Sequence, residues 1–376
     1  MMCWIVYVAA VLFTLIATGP HVALAQNEIL IGVFGPMTGG AAKGGQSQKE
    51  AIDLAAKEVN DKGGLLGRKV RVLYGDDAGK PEEAVNIVKR FISRDNVVLI
   101  LGGNSSPTSM AAAQVTREAG VPQIIISGTA QRITLQKNPW IFRSAVPDTK
   151  IVADLVDFIA QKYPNLKKFA FLYVNDDFGK GGFDSFVASG QRHGYEIVAQ
   201  ERYQRGDIDF TAQLTRIKAS PAQALVEWSR PHEGALIAKQ FKQLGMDLPR
   251  FGGDGFGLST YIELGQDAVN GVIYATHFNP ATSQDFPGAR EFIAKIKSTY
   301  GYEPDFVHAE AYDAAKLAFM AIEKAGSLDR VKIRDALRTI KYDSVRGPFT
   351  FDEKGDPTLV THVVKIVGMK EVDARK

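Results

Sequence analysis

Thiols are almost missing from this 376-residue chain, whose one cysteine is Cys3. The body of the protein therefore has no disulfide, no thiolate nucleophile and no cysteine-based metal site. Histidine is sparse as well. His21, His193, His232, His277, His308 and His362 are widely scattered, and His232-Glu233 lacks the second histidine that the helical zinc-protease motif needs four residues on. No Gly-x-Ser-x-Gly elbow occurs. Gly102-Gly103 lacks the remaining glycine spacing and the lysine of a phosphate loop. Charge of one sign is lacking too: the net charge is +3, too small and too dispersed for nucleic acid. An enzyme is not expected, nor a nucleic-acid partner, and no cofactor or metal is needed.

Long apolar runs are confined to the start of the chain. Trp4 to Phe13 is apolar, and Ala23-Leu24-Ala25 then offers small residues where a signal peptidase reads. That order is a secretory signal peptide over 1–25, although no Lys or Arg precedes the apolar run. The run is short for a membrane span, so the expectation is a soluble protein exported to the periplasm, with its signal cleaved.

From residue 28 onward the chain alternates strand and helix patterns. Ile29 to Phe34 reads as a strand bounded by Gly35-Pro36, and the next helix carries Ile52, Ala55, Ala56 and Val59 on one face before Gly63-Gly64. Val70–Tyr74 is a strand, and Pro81-Glu82-Glu83 opens a helix with proline and acids in its first turn. Val97–Leu101 and Pro122–Ile126 are continuous apolar runs, as strands buried on both faces are. This is a parallel α/β sheet. The rhythm restarts near residue 150, with strands expected at 169–174, 196–199, 224–228 and 271–275 and a mostly helical stretch over 287–340. Two α/β lobes are predicted, with chain crossings at 143–148, 277–280 and 346–349. The expected division is 26–146 plus 278–346 for one lobe and 147–277 plus 347–376 for the other.

Several short patterns occur in a fixed order. They are Gly35-Pro36-Met37-Thr38-Gly39, Asn60-Asp61-Lys62-Gly63-Gly64-Leu65-Leu66-Gly67-Arg68, Gly75-Asp76-Asp77 and Glu118-Ala119-Gly120-Val121-Pro122. Asp207-Ile208-Asp209-Phe210, Gly252-Gly253-Asp254-Gly255, Tyr300-Gly301-Tyr302-Glu303-Pro304 and Ala311-Tyr312-Asp313-Ala314 come after them. Over residues 28 to 365 the chain resembles the periplasmic substrate-binding proteins of ABC transporters, in the branched-chain amino acid (leucine/isoleucine/valine-binding) family. The resemblance implies a type I periplasmic binding protein fold: two Rossmann-like lobes joined by a three-strand hinge. It also implies closure on a small ligand and delivery to an ABC permease with its ATPase subunits. A monomer is expected.

Site residues are carried over from matching positions. Ser106, just before Pro107, is placed as an N-cap, and the family uses a serine here for the ligand carboxylate. Gly128 and Thr129 match the loop whose carbonyl and hydroxyl hold the ligand ammonium. Asp254 matches the acid that faces that ammonium across the cleft. Each position also has a plain structural reading: a helix cap, a turn, and a surface acid between glycines.

Three positions depart from the family pattern. Gly44, Phe178 and Arg230 stand where tyrosines are common, so hydroxyls are lost and room is gained. Arg230 is open to three readings: a clamp for a second ligand carboxylate, a partner for Asp254, or a solvated cation. Trp228 and Phe178 either wall an aromatic ligand or, for Trp228, belong to the sheet core. The expected ligand is amino acid-like. An aromatic or dicarboxylic acid, or a ligand sensor on the same fold, is the alternative.

Overall fold

The computed structural model describes residues 28–376, so the signal-peptide reading lies outside the described residues. Strand β1 (Glu28–Gly35) is followed by α1 (Ala42–Asp61), β2 (Lys69–Asp76), α2 (Pro81–Ser93), β3 (Leu99–Leu101), α3 (Ser106–Ala119), β4 (Gln123–Ile125), the single turn α4 (Arg132–Leu135) and β5 (Ile141–Arg143). These five strands pair in parallel in the order β2-β1-β3-β4-β5. Ile29, Ile31, Val33, Leu99, Leu101 and Ile124 are fully buried, so the central strands are covered on both faces, as a parallel sheet requires.

The second lobe repeats the pattern with α5 (Asp148–Lys162), β6 (Lys168–Val174), α6 (Asp177–Gly190), β7 (Glu196–Tyr203), α7 (Thr211–Ala219), β8 (Ala224–Trp228), α8 (Pro231–Gln243), β9 (Arg250–Gly252), α9 (Ser259–Gly265) and β10 (Ile273–Thr276). Helices α10 (Pro287–Tyr300), α11 (Phe306–Ala325) and α12 (Arg330–Leu337) come next. Then come the hairpin of β11 (Lys341–Ser344) and β12 (Gly347–Thr350), and finally β13 (His362–Val367) and β14 (Lys370–Asp373). The second sheet runs β14-β13-β10-β9-β8-β6-β7, with β13 and β14 antiparallel to their neighbours. Its parallel part, read β7-β6-β8-β9-β10, has the same order as the first sheet.

The chain passes between the sheets at 144–147, 277–286 and beyond residue 356. The third passage differs from the expected 346–349. There Val345-Arg346 is the turn of the β11–β12 hairpin, and Gly347 takes φ +101. The segment after it stays on the first sheet: Arg143 N–H donates to the Gly355 carbonyl at 2.9 Å, and Thr134 Oγ1 donates to Asp356 Oδ2 at 2.9 Å. Residues 350–356, which the expected division gives to the second lobe, are thus bonded to the first. A buried cluster ties the first crossing to α11 and to the hairpin turn. Arg346 Nε donates to Asp313 Oδ2 at 2.7 Å, and its Nη2 donates to Ser144 Oγ at 2.7 Å.

Among the described residues, no helix is long and apolar enough to cross a membrane.

Candidate functional site

In an open parallel sheet, neighbouring connections leave in opposite directions at one point of the strand order, and a crevice opens beyond the carboxyl ends there. In the first sheet that point lies between β1 and β3, and in the second between β6 and β8. A cavity of about 640 Å³ lies between the two points. Pro36, Asn104, Ser105 and Ser106 line it from the first lobe, and Phe178, Arg230 and Asp254 from the second.

The first-lobe wall is built by close backbone contact. A Cβ on Gly45 would sit 1.9 Å from the Pro36 carbonyl oxygen, so only glycine lets α1 start against this loop. Gly44 lies in the first turn of α1 and lines the cavity; a side chain there would meet Asn104 Oδ1 at 2.8 Å. Helix α3 begins one residue earlier than expected. Its N-cap is Ser105, with extended φ −148 and ψ 155, and Ser106 is the first helical residue. The Ser106 hydroxyl is drawn across to the next loop, where its Oγ accepts from Ala130 N–H at 3.1 Å.

Asp254 is 3% exposed, so it is not a surface turn acid. Its flanking glycines are packing requirements: a Cβ on Gly253 would lie 2.7 Å from the Trp228 ring, and one on Gly255 would lie 2.4 Å from the Ser229 carbonyl. Asp254 Oδ1 has no hydrogen-bond partner. Burial pushes its carboxyl up to about 6, opposed by His277 and reinforced by Glu310. Behind it Asp148 is fully buried, and burial together with Asp254 raises it to about 8. His277 Nε2 stands 2.5 Å from Glu310 Oε1, and Ser127 Oγ donates to Glu310 Oε2. Asp254 thus stands on the cavity wall with the buried carboxyls of Asp148 and Glu310 and the imidazole of His277 near it, an environment that favours an incoming cation.

Arg230 does not pair with Asp254. Its Nη2 donates to Asp176 Oδ2 at 2.6 Å, and its guanidinium lies 5.4 Å above the Phe178 ring. Asp176 Oδ1 meanwhile caps α6 by accepting from Phe178 and Gly179 N–H, which places Phe178 on the wall. Trp228 is fully buried beneath Phe178, with ring centroids 6.1 Å apart, and so belongs to the sheet core.

Gly128 and Thr129 are not brought to the cavity wall. The Gly128 carbonyl accepts from Arg143 Nη1 at 3.2 Å, and the Thr129 carbonyl accepts from Asp148 N–H at 2.9 Å. Sequence reasoning missed Asp148, His277 and Glu310. Asp148 reads as an ordinary first-turn acid, and the other two give no local pattern.

The family profile described as periplasmic binding protein matches residues 28–370. The chain is 28% identical over 347 residues to the Leu/Ile/Val-binding protein BraC3 of Rhizobium johnstonii, covering 92% of this chain and 93% of that protein. Its fold is similar to the crystal structure of a leucine binding protein, LivK, from Thermotoga maritima, with TM-score 0.86, 29% identity, and 92% and 97% of the two chains covered. It is also similar to a solute binding protein of an ABC transporter from Rhodopseudomonas palustris BisB5, in complex with 3,4-dihydroxy benzoic acid. There the TM-score is 0.82 and the identity 27%, with 93% and 98% covered.

Proposed function

The chain belongs to the periplasmic binding protein family, and on that premise we propose that it is a solute-binding protein that captures an amino acid-like ligand by hinge closure and delivers it to an ABC permease. The observation that carries the ligand class is Asp254: buried, with Oδ1 unpartnered, on the wall of a cavity that faces the first turn of α3. A buried carboxylate without a counter-ion is costly, and a ligand ammonium removes that cost only when the lobes are together. The backbone N–H groups at the start of α3, with Ser105 and Ser106 beside them, suit the ligand carboxylate.

In this reading Phe178 forms the apolar wall. Gly128 and Thr129 act from behind it, holding Arg143 and Asp148 in place. Arg230 sets the shape of the second-lobe wall through Asp176. Export through the 1–25 signal, a periplasmic location, a monomeric state and docking on the permease with its ATPase subunits belong to the same proposal. So does the lobe division, with its third crossing moved beyond residue 356. Names of relatives that bind leucine, isoleucine and valine support the amino acid over other ligands.

A second reading has one observation in its favour. Gly44 leaves space opposite Phe178, and a neighbour at 27% identity holds 3,4-dihydroxy benzoic acid, so an aromatic acid is the rival ligand. A thermal-shift screen separates the two. At 100 times its dissociation constant a ligand stabilises by about 2.7 kcal/mol. Leucine, isoleucine or valine should shift the melting temperature while benzoate, 4-hydroxybenzoate and glutarate do not. A shift only with acids lacking an amine would overturn the amino acid assignment and leave the transport role.

A further inference from the structure

Two tight turns face each other across the mouth of the cavity, one from each lobe. In the first, after β2, Gly79 N–H donates to Asp77 Oδ1 at 2.7 Å, and Ala78 and Gly79 take φ +46 and +71. In the second, after β7, Gln204 N–H donates to Asp207 Oδ2 at 2.7 Å and Asp207 N–H to the Gln204 carbonyl at 3.0 Å. Gly206 N–H also donates to Glu233 Oε1 at 2.9 Å, which anchors this turn to α8. Arg205 stands at its tip. Its Nη1 donates to the Gly79 carbonyl at 2.6 Å, from the second lobe to the first. The fit is close: a Cβ on Gly79 would lie 2.3 Å from Arg205 Nη2.

The place of this contact matters as much as its length. Strands β2 and β7 are edge strands, each at the end of its sheet opposite the strand from which the chain crosses, β5 in one case and β10 in the other. The contact therefore lies on the side of the cleft away from the hinge, where a small rotation separates the lobes most. An exposed ion pair also crosses the lobes, Arg132 Nη1 to Asp177 Oδ1 at 3.2 Å, but its side chains are 64% and 32% exposed, a setting in which ion pairs contribute little.

We infer that Arg205 is the latch of this cleft, a positioning residue that holds the lobes together over a bound ligand and so sets how long the ligand stays. The inference rests on the hinge-closing reading above. The hydrogen bond exists only in the closed share of the population, with or without ligand. Its loss therefore depletes closed molecules in the leucine-free protein and speeds release from the bound one, while association, which begins from open molecules, stays nearly unchanged.

The test needs no native thiol removed from residues 26–376, because none exists there. In the full chain with Cys3→Ser, spin labels go on Lys89→Cys in α2 and Ala212→Cys in α7, and electron–electron resonance measures their separation with and without L-leucine. Stopped-flow measurement of L-leucine binding gives the rates. Arg205→Ala should lengthen and broaden the leucine-free distances and speed leucine release at least tenfold, with association within twofold. Gly79→Ala, which displaces the guanidinium from the other side, should do the same, and Arg205→Lys should recover part of the effect. Distances and release rates matching the unsubstituted protein in both Arg205→Ala and Gly79→Ala would overturn the latch. If leucine binds and closes every variant alike, the latch falls and the capture reading stands. If no variant binds leucine yet the distances respond to Arg205, the latch stands and the amino acid reading falls.

Discussion

Arg230 Nη2 donates to Asp176 Oδ2 at 2.6 Å, so the cation standing at the ligand-facing end of β8 already has its counter-ion inside its own lobe. Both side chains are mostly buried, at 15% and 18% exposed. Removing one leaves the other poorly solvated, a change that typically costs about 1–3 kcal/mol. Arg230→Ala is therefore expected to lower the urea midpoint while changing leucine affinity less than threefold by calorimetry. A large loss of leucine affinity with unchanged stability would place the guanidinium on the ligand instead.

Asp254 on the cavity wall, with Asp148 buried near it, makes binding depend on pH in a fixed direction. Burial above all raises the carboxyls of Asp148 and Asp254 from 3.8 to about 8 and about 6. Their cost to the folded state is absent below the unfolded value and grows as pH rises through the folded ones. A ligand ammonium favours the ionised form of Asp254, so binding expels protons. Leucine affinity should rise from pH 5 to pH 7.5, and calorimetry in buffers of different ionisation enthalpy should report proton release. Proton uptake on binding would contradict the ammonium role.

His308 adds a second pH dependence, which acts on stability at higher pH. Burial pulls its pKa down, but Asp305 and Glu50 outweigh that and hold it at about 9. The charged imidazole contributes its full stability below about pH 6.5 and loses it as pH rises through 9. A rise from 6.5 to about 9 corresponds to about 3 kcal/mol. The urea midpoint should fall between pH 7 and 9.5, and His308→Gln should flatten that fall while lowering stability at pH 7.

Beside the first crossing, Arg346 and Asp313 are both fully buried with Nε and Oδ2 2.7 Å apart. Breaking a buried pair by removing one partner costs about 3–5 kcal/mol. Arg346→Met should show a loss of that size in chemical denaturation. A loss below about 1 kcal/mol would mean that the first crossing, at Ser144, is held by other contacts.

Most of the fold is legible because buried parallel strands and amphipathic helices write their periods into the sequence. Ala224–Trp228 and Pro81–Ser93 lie where apolar runs and a proline with two acids put them. Strand β7 reads as ending at Ala199 because Gln200, Glu201 and Arg202 are polar. It runs on to Tyr203, since an edge strand with one wet face tolerates polar residues. The β11–β12 hairpin is hidden by its length, four residues a strand, and so the sequence puts the third crossing too early.

The site is legible only in part. Ser106, Phe178, Arg230 and Asp254 all line the cavity, because each lies just beyond a strand end at or beside the crevice. Gly128 and Thr129 do not, since Arg143 and Asp148 draw their carbonyls back. That pull comes from the Arg143 side chain and the Asp148 backbone N–H, groups distant in sequence that no local pattern reports. The same holds for His277 and Glu310, 33 residues apart in the chain and 2.5 Å apart in space.

The central claim is that Asp254 supplies the counter-charge for a ligand amine, and the most direct test is calorimetric titration of L-leucine into the wild type and Asp254→Asn at pH 7.5. The predicted result is measurable binding to the wild type and at least tenfold weaker binding to the variant, about 1.4 kcal/mol or more. Equal affinities in the two proteins would contradict it.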